Sequence, residues 1–235
     1  MTNSQQGSKF NINIGKISGG EIQVGDRTYY GHQISPKSEN AAPTSSPDPK
    51  RTILVVAASP VNQAKLRLDR EVREIDEGLR LAKHREKFDL QQRWAVRPND
   101  LRRALLEIQP QIVHFCGHGE GEAGLLLEDE LGKAKLVSTE AIAGLFQLFA
   151  ERGLECVVLN ACYSKVQAEA IAQHINYVVG MSDAIADKAA ISFAVGFYDA
   201  LGAGWSYTDA YSLGCNAIAL EGIAQNLLPV LKQKT

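Results

Sequence analysis

The body of this sequence predicts a three-layer α/β fold built around a mainly parallel sheet. Two observations carry that prediction. Residues 52–58, 112–116 and 156–159 are short continuous apolar runs bounded by turn residues, the pattern of strands buried on both faces. Between such runs lie stretches whose apolar residues recur every three or four positions, the period of an amphipathic helix. A third observation delimits the body. Residues 35–50 hold four of the chain's eight prolines and almost nothing to bury, the composition of a disordered, solvated linker. The expected organisation is a polar, β-prone head at 1–34, a Pro/Ser-rich linker at 35–50 and the α/β body at 51–235.

The head repeats itself. Asn11-Ile12-Asn13-Ile14-Gly15 and Glu21-Ile22-Gln23-Val24-Gly25 alternate apolar residues with polar ones at a ten-residue offset, and Gly19-Gly20 permits a turn between them. A lone two-stranded hairpin is barely stable in water. Copies stacked from many chains are different, because Ile and Val interdigitate while Asn and Gln form amide ladders.

In the body, residues 52–58 form the first strand, ended by Ser59-Pro60. Leu68, Val72, Ile75, Leu79 and Ala82 then share one helix face. Residues 88–96 predict a strand with Phe88, Leu90, Trp94 and Val96 on one side. Asn99 or Asp100 can cap a helix that runs to Ile108 and is stopped by Pro110. A strand from Ile112 runs into glycines at Gly117 and Gly119, and residues 125–127 and 134–137 suit a small hairpin. A helix over 139–150, a strand over 156–162, a helix through His174, a strand over 177–180 and helices over 187–201 and 207–220 complete the rhythm.

Composition narrows the function classes. Twenty-five basic residues face 27 acidic ones, so the excess of Lys and Arg that marks nucleic-acid binding is missing. No apolar run approaches the roughly 20 residues of a membrane span. The polar start, Met1-Thr2-Asn3-Ser4, lacks the regions of a signal peptide. Four cysteines are too few for a disulfide scaffold. A cytoplasmic protein is expected, with neither nucleic acid nor membrane as partner.

Sites in open α/β sheets form where loops leave the carboxyl ends of strands. One apolar run ends in His118-Gly119 and another in Asn160-Ala161-Cys162. If those strands are neighbours, an imidazole and a thiol meet at one edge, as nucleophilic catalysis by cysteine requires. Gly119, lacking a Cβ, lets a backbone N–H approach a developing oxyanion, and the Cys162 N–H is the natural second donor. Cys156 and Cys215 read as packing residues, and mid-strand His114 as a buried, hydrogen-bonded histidine. A metal held by His114, Cys116 and His118 is disfavoured, since on a strand the two histidines lie about 13 Å apart. Neither metal nor cofactor is expected.

An apolar run with His-Gly, roughly forty residues, then an apolar run with Ala-Cys resembles the clan of caspase-like cysteine peptidases. The closest likeness is to the CHAT domain, related to separases. Val113-His114-Phe115-Cys116-Gly117-His118-Gly119, Leu159-Asn160-Ala161-Cys162, and Asp187-Lys188-Ala189-Ala190 with Phe197-Tyr198 and Leu201 carry the match over about residues 51–225. The resemblance implies a caspase-like fold with His118 as general base and Cys162 as nucleophile. It also implies a pocket aspartate, matched here by Asp183 and Asp187, selecting Arg or Lys before the cut; Asp187 is equally placed to cap the following helix. Separately, Ile22-Gln23-Val24-Gly25 resembles the core tetrad of the RIP homotypic interaction motif and of bacterial amyloid-signalling motifs. That likeness implies self-assembly, or an upstream sensor protein with a matching motif. Two functions stay open: a cysteine endopeptidase acting on protein substrates and activated by assembly through the head, or a catalytically silent adaptor of the same fold.

Overall fold

The computed structural model describes residues 21–24, 27–30 and 50–234, and the chain divides between Pro47 and Asp48 into two units. In the first, β1 (Glu21–Val24) pairs antiparallel with β2 (Arg27–Tyr30), Glu21 opposite Tyr30 and Val24 opposite Arg27. The strand holding Ile22, Gln23 and Val24 therefore pairs with the segment just after it, which lacks the apolar alternation that marks a strand in sequence. The repeat at 11–15, Gly19-Gly20, Gly25 and residues 31–49 lie outside the described residues.

The second unit is built on a six-stranded sheet. Its strands are β3 (Arg51–Ala57), β4 (Phe88–Trp94), β5 (Ile112–Cys116), β9 (Cys156–Asn160), β10 (Tyr177–Met181) and β11 (Pro229–Gln233), and their order is β11-β10-β9-β5-β3-β4. All neighbours are parallel except β10 and β11. A second sheet joins β6 (His118–Gly119), β7 (Leu125–Glu128) and β8 (Ala134–Val137) in antiparallel order. The helices are α1 (Leu68–Leu81), α2 (Pro98–Ile108), α3 (Thr139–Ala150), α4 (Lys165–Ile171), α5 (Asp187–Gly202) and α6 (Tyr207–Leu220).

The period-two alternation of side chains along a strand makes the three layers. Leu54, Val56, Val113, Phe115, Val157 and Leu159 face one way, onto Leu105 of α2, Phe146 of α3 and Ile171 of α4. Ile53, Val55, Ile112, Cys116, Val158 and Val179 face the other way, onto Ile75 of α1, Phe193 and Phe197 of α5 and Ile218 of α6. Both faces are dry, which is why these strands read as unbroken apolar runs.

The structure corrects several details. Ala95 adopts φ +52, which breaks the alternation after Trp94. Val96 consequently packs with the α2–α4 layer while Phe88 and Leu90 lean on the opposite one, and Trp94 is about half exposed. Helix α2 starts at Pro98, before either predicted cap. Proline suits a first helical position because its missing N–H would be unbonded there, and Asp100 takes the Arg97 N–H at 3.2 Å from inside the helix. Helix α4 stops at Ile171, short of His174. Strand β11 was not anticipated: its leading Pro229 has no N–H for a ladder, which in sequence argues against a strand.

Candidate active site

Strands β5 and β9 are adjacent and in register, with Cys116 opposite Asn160. His118 and Cys162 each follow that pair by two residues, so both leave the carboxyl edge of the sheet at the same level. Their backbones touch. A Cβ placed on Gly119 would lie 2.1 Å from the Cys162 carbonyl oxygen and 3.5 Å from the Ala161 Cβ, so only glycine fits.

The His118 ring is held by a group that sequence could not mark. Its Nε2 lies 2.8 Å from the carbonyl oxygen of Ala64. A carbonyl only accepts, so Nε2 carries the proton, and in the neutral ring Nδ1 keeps its lone pair. Ala64 belongs to the loop 59–67 between β3 and α1. Side chains and backbone from elsewhere tie that loop down: Ser59 N–H donates to Glu128 Oε1 (2.9 Å), Val61 N–H to the Gly132 carbonyl (2.9 Å), Ala134 N–H to Asn62 Oδ1 (2.7 Å) and Arg67 N–H to Asp187 Oδ2 (3.2 Å).

Two backbone N–H groups at these strand ends have no partner in the ladder or turns among the described residues. Glu120 N–H donates to the Gly124 carbonyl at 2.9 Å, and antiparallel ladders alternate bonded with unbonded pairs. The Gly119–Leu125 pair is therefore an unbonded one, and the Gly119 N–H points out of the ladder. Among the described residues the Cys162 N–H meets no acceptor. The Cys162 thiol is half-buried, with Sγ 3.7 Å from the Ile185 carbonyl oxygen. Tyr163, next in the chain, holds a left-handed φ of +54, costly for an aromatic residue, and its N–H donates to the Asp183 carbonyl at 3.2 Å. The other thiols differ. Burial pushes those of Cys116 and Cys156 up, with the Glu71 and Glu155 charges adding to it, and half-buried Cys215 is also raised by desolvation.

The two aspartates part company. Asp183 is exposed on the β10–α5 loop; its Oδ1 takes the Ala184 N–H at 2.7 Å, and its nearby carboxylate pushes the Tyr163 phenol's pKa up. Asp187 is half-buried and is the first residue of α5. It does not cap that helix, whose N-cap position is Ala186 without a side-chain bond; its carboxylate takes the Arg67 N–H instead.

Behind the strand ends lies a buried polar network. His114, fully buried as its mid-strand position suggested, has Nε2 2.7 Å from Glu71 Oε1 and Nδ1 3.2 Å from the Tyr198 hydroxyl. Asn160 donates to Glu71 Oε1 at 2.6 Å and to the Ala190 carbonyl at 3.0 Å. Glu71 thus joins α1 to both strands that lead to the site. Glu71, His114 and Cys116 also offer ligand atoms within 4.8 Å of one another. They fit a metal poorly, because carboxylate and imidazole already bond each other and burial opposes the thiolate a metal needs.

A mainly parallel six-stranded sheet between two helical layers, with an imidazole and a thiol leaving neighbouring strands at its carboxyl edge, defines a caspase-like α/β protein. Residues 28–212 match the CHAT domain, and the chain belongs to that family. It is 28% identical over 179 residues to a "Roc-COR-CHAT protease" of an unknown prokaryotic organism, a match covering 74% of this chain and 17% of the relative. It is 23% identical over 177 residues to a "Probable protease" of Gillisia limnaea, covering 75% of this chain and 31% of that one. The chain thus spans less than a third of these curated relatives. In fold it is similar to a secreted C11 cysteine protease from Bacteroides thetaiotaomicron solved with an irreversible peptide inhibitor. The TM-score is 0.55 at 11% identity, over 79% of this chain and 66% of that one. Among the described residues no helix is long and apolar enough to cross a membrane.

Proposed function

We propose that the body is a cysteine endopeptidase that cleaves protein substrates by acyl transfer. The observation that carries this reading is the convergence of His118 and Cys162 on neighbouring, in-register strand ends, with Nε2 of His118 engaged by Ala64 and Nδ1 left as the base. In the reaction Nδ1 takes the Cys162 proton as Sγ turns from the Ile185 carbonyl and attacks the scissile peptide carbon. The negative charge that develops on the peptide oxygen is met by the N–H groups of Gly119 and Cys162. His118 returns the proton to the leaving amine, and the thioester is then hydrolysed by a water that His118 deprotonates. The names of both curated relatives support a protease.

Specificity for Arg or Lys before the cut follows in this reading from Asp183. It is exposed, and its backbone carbonyl takes the N–H of the residue after the nucleophile, so its carboxylate stands where it can pair a cationic side chain by charge-assisted hydrogen bonds. Activation is assigned to the head: strands around Ile22, Gln23, Val24 and Gly25 stack with copies of themselves or with a sensor's matching motif, and the linker lets the bodies crowd together.

The test is hydrolysis of fluorogenic peptides with Arg, Lys, Asp or Leu before the cut. The full chain, residues 50–235, full-length Cys162→Ala and full-length Asp183→Asn are compared. Activity on Arg and Lys that is lost in Cys162→Ala, loses its preference in Asp183→Asn and is weaker without the head is the expected result. Silence of every form, with no labelling of Cys162 by a thiol-reactive probe, would sink the peptidase reading in favour of an adaptor.

A further inference from the structure

We infer that Asp187 is a positioning residue of this site, holding the loop 59–67 so that the Ala64 carbonyl stays on His118. The inference rests on the His118–Cys162 reading and gives Asp187 a task different from the substrate pocket that its sequence position suggested.

The loop has little packing of its own. Val61, Asn62, Ala64, Lys65 and Arg67 are exposed, and Leu66 alone between Asn62 and Arg67 leans on the core. Its first half is fastened to the β7–β8 hairpin through Ser59, Val61 and Asn62. Beyond the Ala64–His118 contact itself, the hydrogen bond that fastens its second half across the fold among the described residues runs from the Arg67 N–H to Asp187 Oδ2. Ala64 hangs between the Asn62 and Arg67 anchors, and its carbonyl is the group that meets Nε2 of His118. The Arg67 side chain is spent elsewhere, on Asp69 at 3.2 Å, so the contact with Asp187 is made by the backbone and concerns the course of the loop.

The fold gives this carboxylate two reasons to sit there. It opens a 16-residue helix, where the helix dipole favours negative charge. It also supplies an acceptor to a backbone N–H in the turn entering α1, a donor that a starting helix cannot satisfy itself. Released from Asp187, the loop can swing at Arg67, Ala64 departs from Nε2, and the imidazole loses the partner that fixes its tautomer. Asp187 touches neither substrate nor reacting atoms in this account; it acts through Ala64.

The test compares full-length Asp187→Ala and Asp187→Asn with the parent. In Asp187→Ala we expect kcat to fall about tenfold, the loss of one charged hydrogen bond. KM and the preference for the residue before the cut stay unchanged. Asn, which keeps an acceptor oxygen, restores most of kcat. A change in that preference or in KM with kcat intact would overturn the inference and return Asp187 to the pocket. Nitrogen-15 shifts of the His118 ring give a readout independent of turnover. The parent should hold the Nε2–H tautomer and Asp187→Ala a mixture; identical ring shifts in both would overturn the inference even if neither protein cleaved a peptide.

Discussion

Replacing Gly119 by alanine tests the site through the closest approach in it. The new methyl carbon would start 2.1 Å from the Cys162 carbonyl oxygen and 3.3 Å from its carbonyl carbon, both backbone atoms that no rotamer change can remove. Real Cβ atoms essentially never come within 3.0 Å of another heavy atom, so Cys162 must withdraw by roughly 1 Å, a misplacement that costs a catalytic site on the order of a hundredfold. That corresponds to about 2.7 kcal/mol of lost transition-state stabilisation. The same overpacking costs about 1–3 kcal/mol of stability, which for a chain of this size lowers Tm by about 2–4 °C per kcal/mol. The assay is kcat/KM on an Arg-containing fluorogenic peptide, paired with thermal unfolding and thiol labelling of Cys162. A Gly119→Ala protein that turns over like the parent would refute the claim that the two strand ends are packed backbone to backbone.

Three further outcomes follow from the same geometry. In the native protein a thiol-reactive probe should label Cys162 first and leave Cys116 and Cys156 untouched, since these are buried with thiols pushed up by desolvation; comparable labelling of all three would contradict the packing. Glu71→Ala strands the His114 and Asn160 donors in a dry core and should cost about 3 kcal/mol or more in urea unfolding; a loss below about 1 kcal/mol would show that the network is not what joins α1 to the strands. Burial holds the Asp199 carboxyl above its ordinary range, so the folded state binds that proton more tightly than the unfolded chain, and stability falls as pH rises through the raised value. Asp199→Asn should therefore raise the urea midpoint at neutral pH and match the parent below about pH 3, where both states are protonated; the opposite ordering at pH 7 would refute it.

How much of this was legible in the sequence depended on which atoms did the work. Strands β3, β5, β9 and β10 are legible because both their faces are dry, so apolar residues dominate them, whereas β4 and β11 are only partly covered. The placing of His118, Gly119 and Cys162 at strand ends was legible because each closes or follows an apolar run, and the adjacency of β5 and β9 brings those ends together. Ala64 was not legible, since its contribution is a carbonyl that every residue possesses, delivered by a loop whose course is set by contacts far away in the chain. Glu71 sat inside an ordinary helical period, on the same face as Leu68 and Ile75, and only the register of β5 and β9 reveals that it faces His114 and Asn160. Asp187 could be assigned a helix cap or a pocket by position alone, and its actual bond, to a backbone 120 residues earlier, has no local signature. The opposite sides taken by Phe88 and Val96 have no sequence signal, because a single left-handed alanine, Ala95, resets the alternation.

The pairing of β10 with β11 also bears on timing. The loop carrying Asp183 leaves β10, and the Ser182 N–H just before it donates to the Leu228 carbonyl at 2.8 Å, beside a strand formed by residues 229–233. Chain leaves the ribosome at about 5–20 residues per second, so seconds separate the emergence of Cys162 from that of the residues that brace this rim. During that interval the nascent body holds both its thiol and its imidazole but not the bracing strand. In the order of synthesis, the edge strand that braces the Asp183 loop therefore joins the sheet after the thiol and the imidazole are already in place.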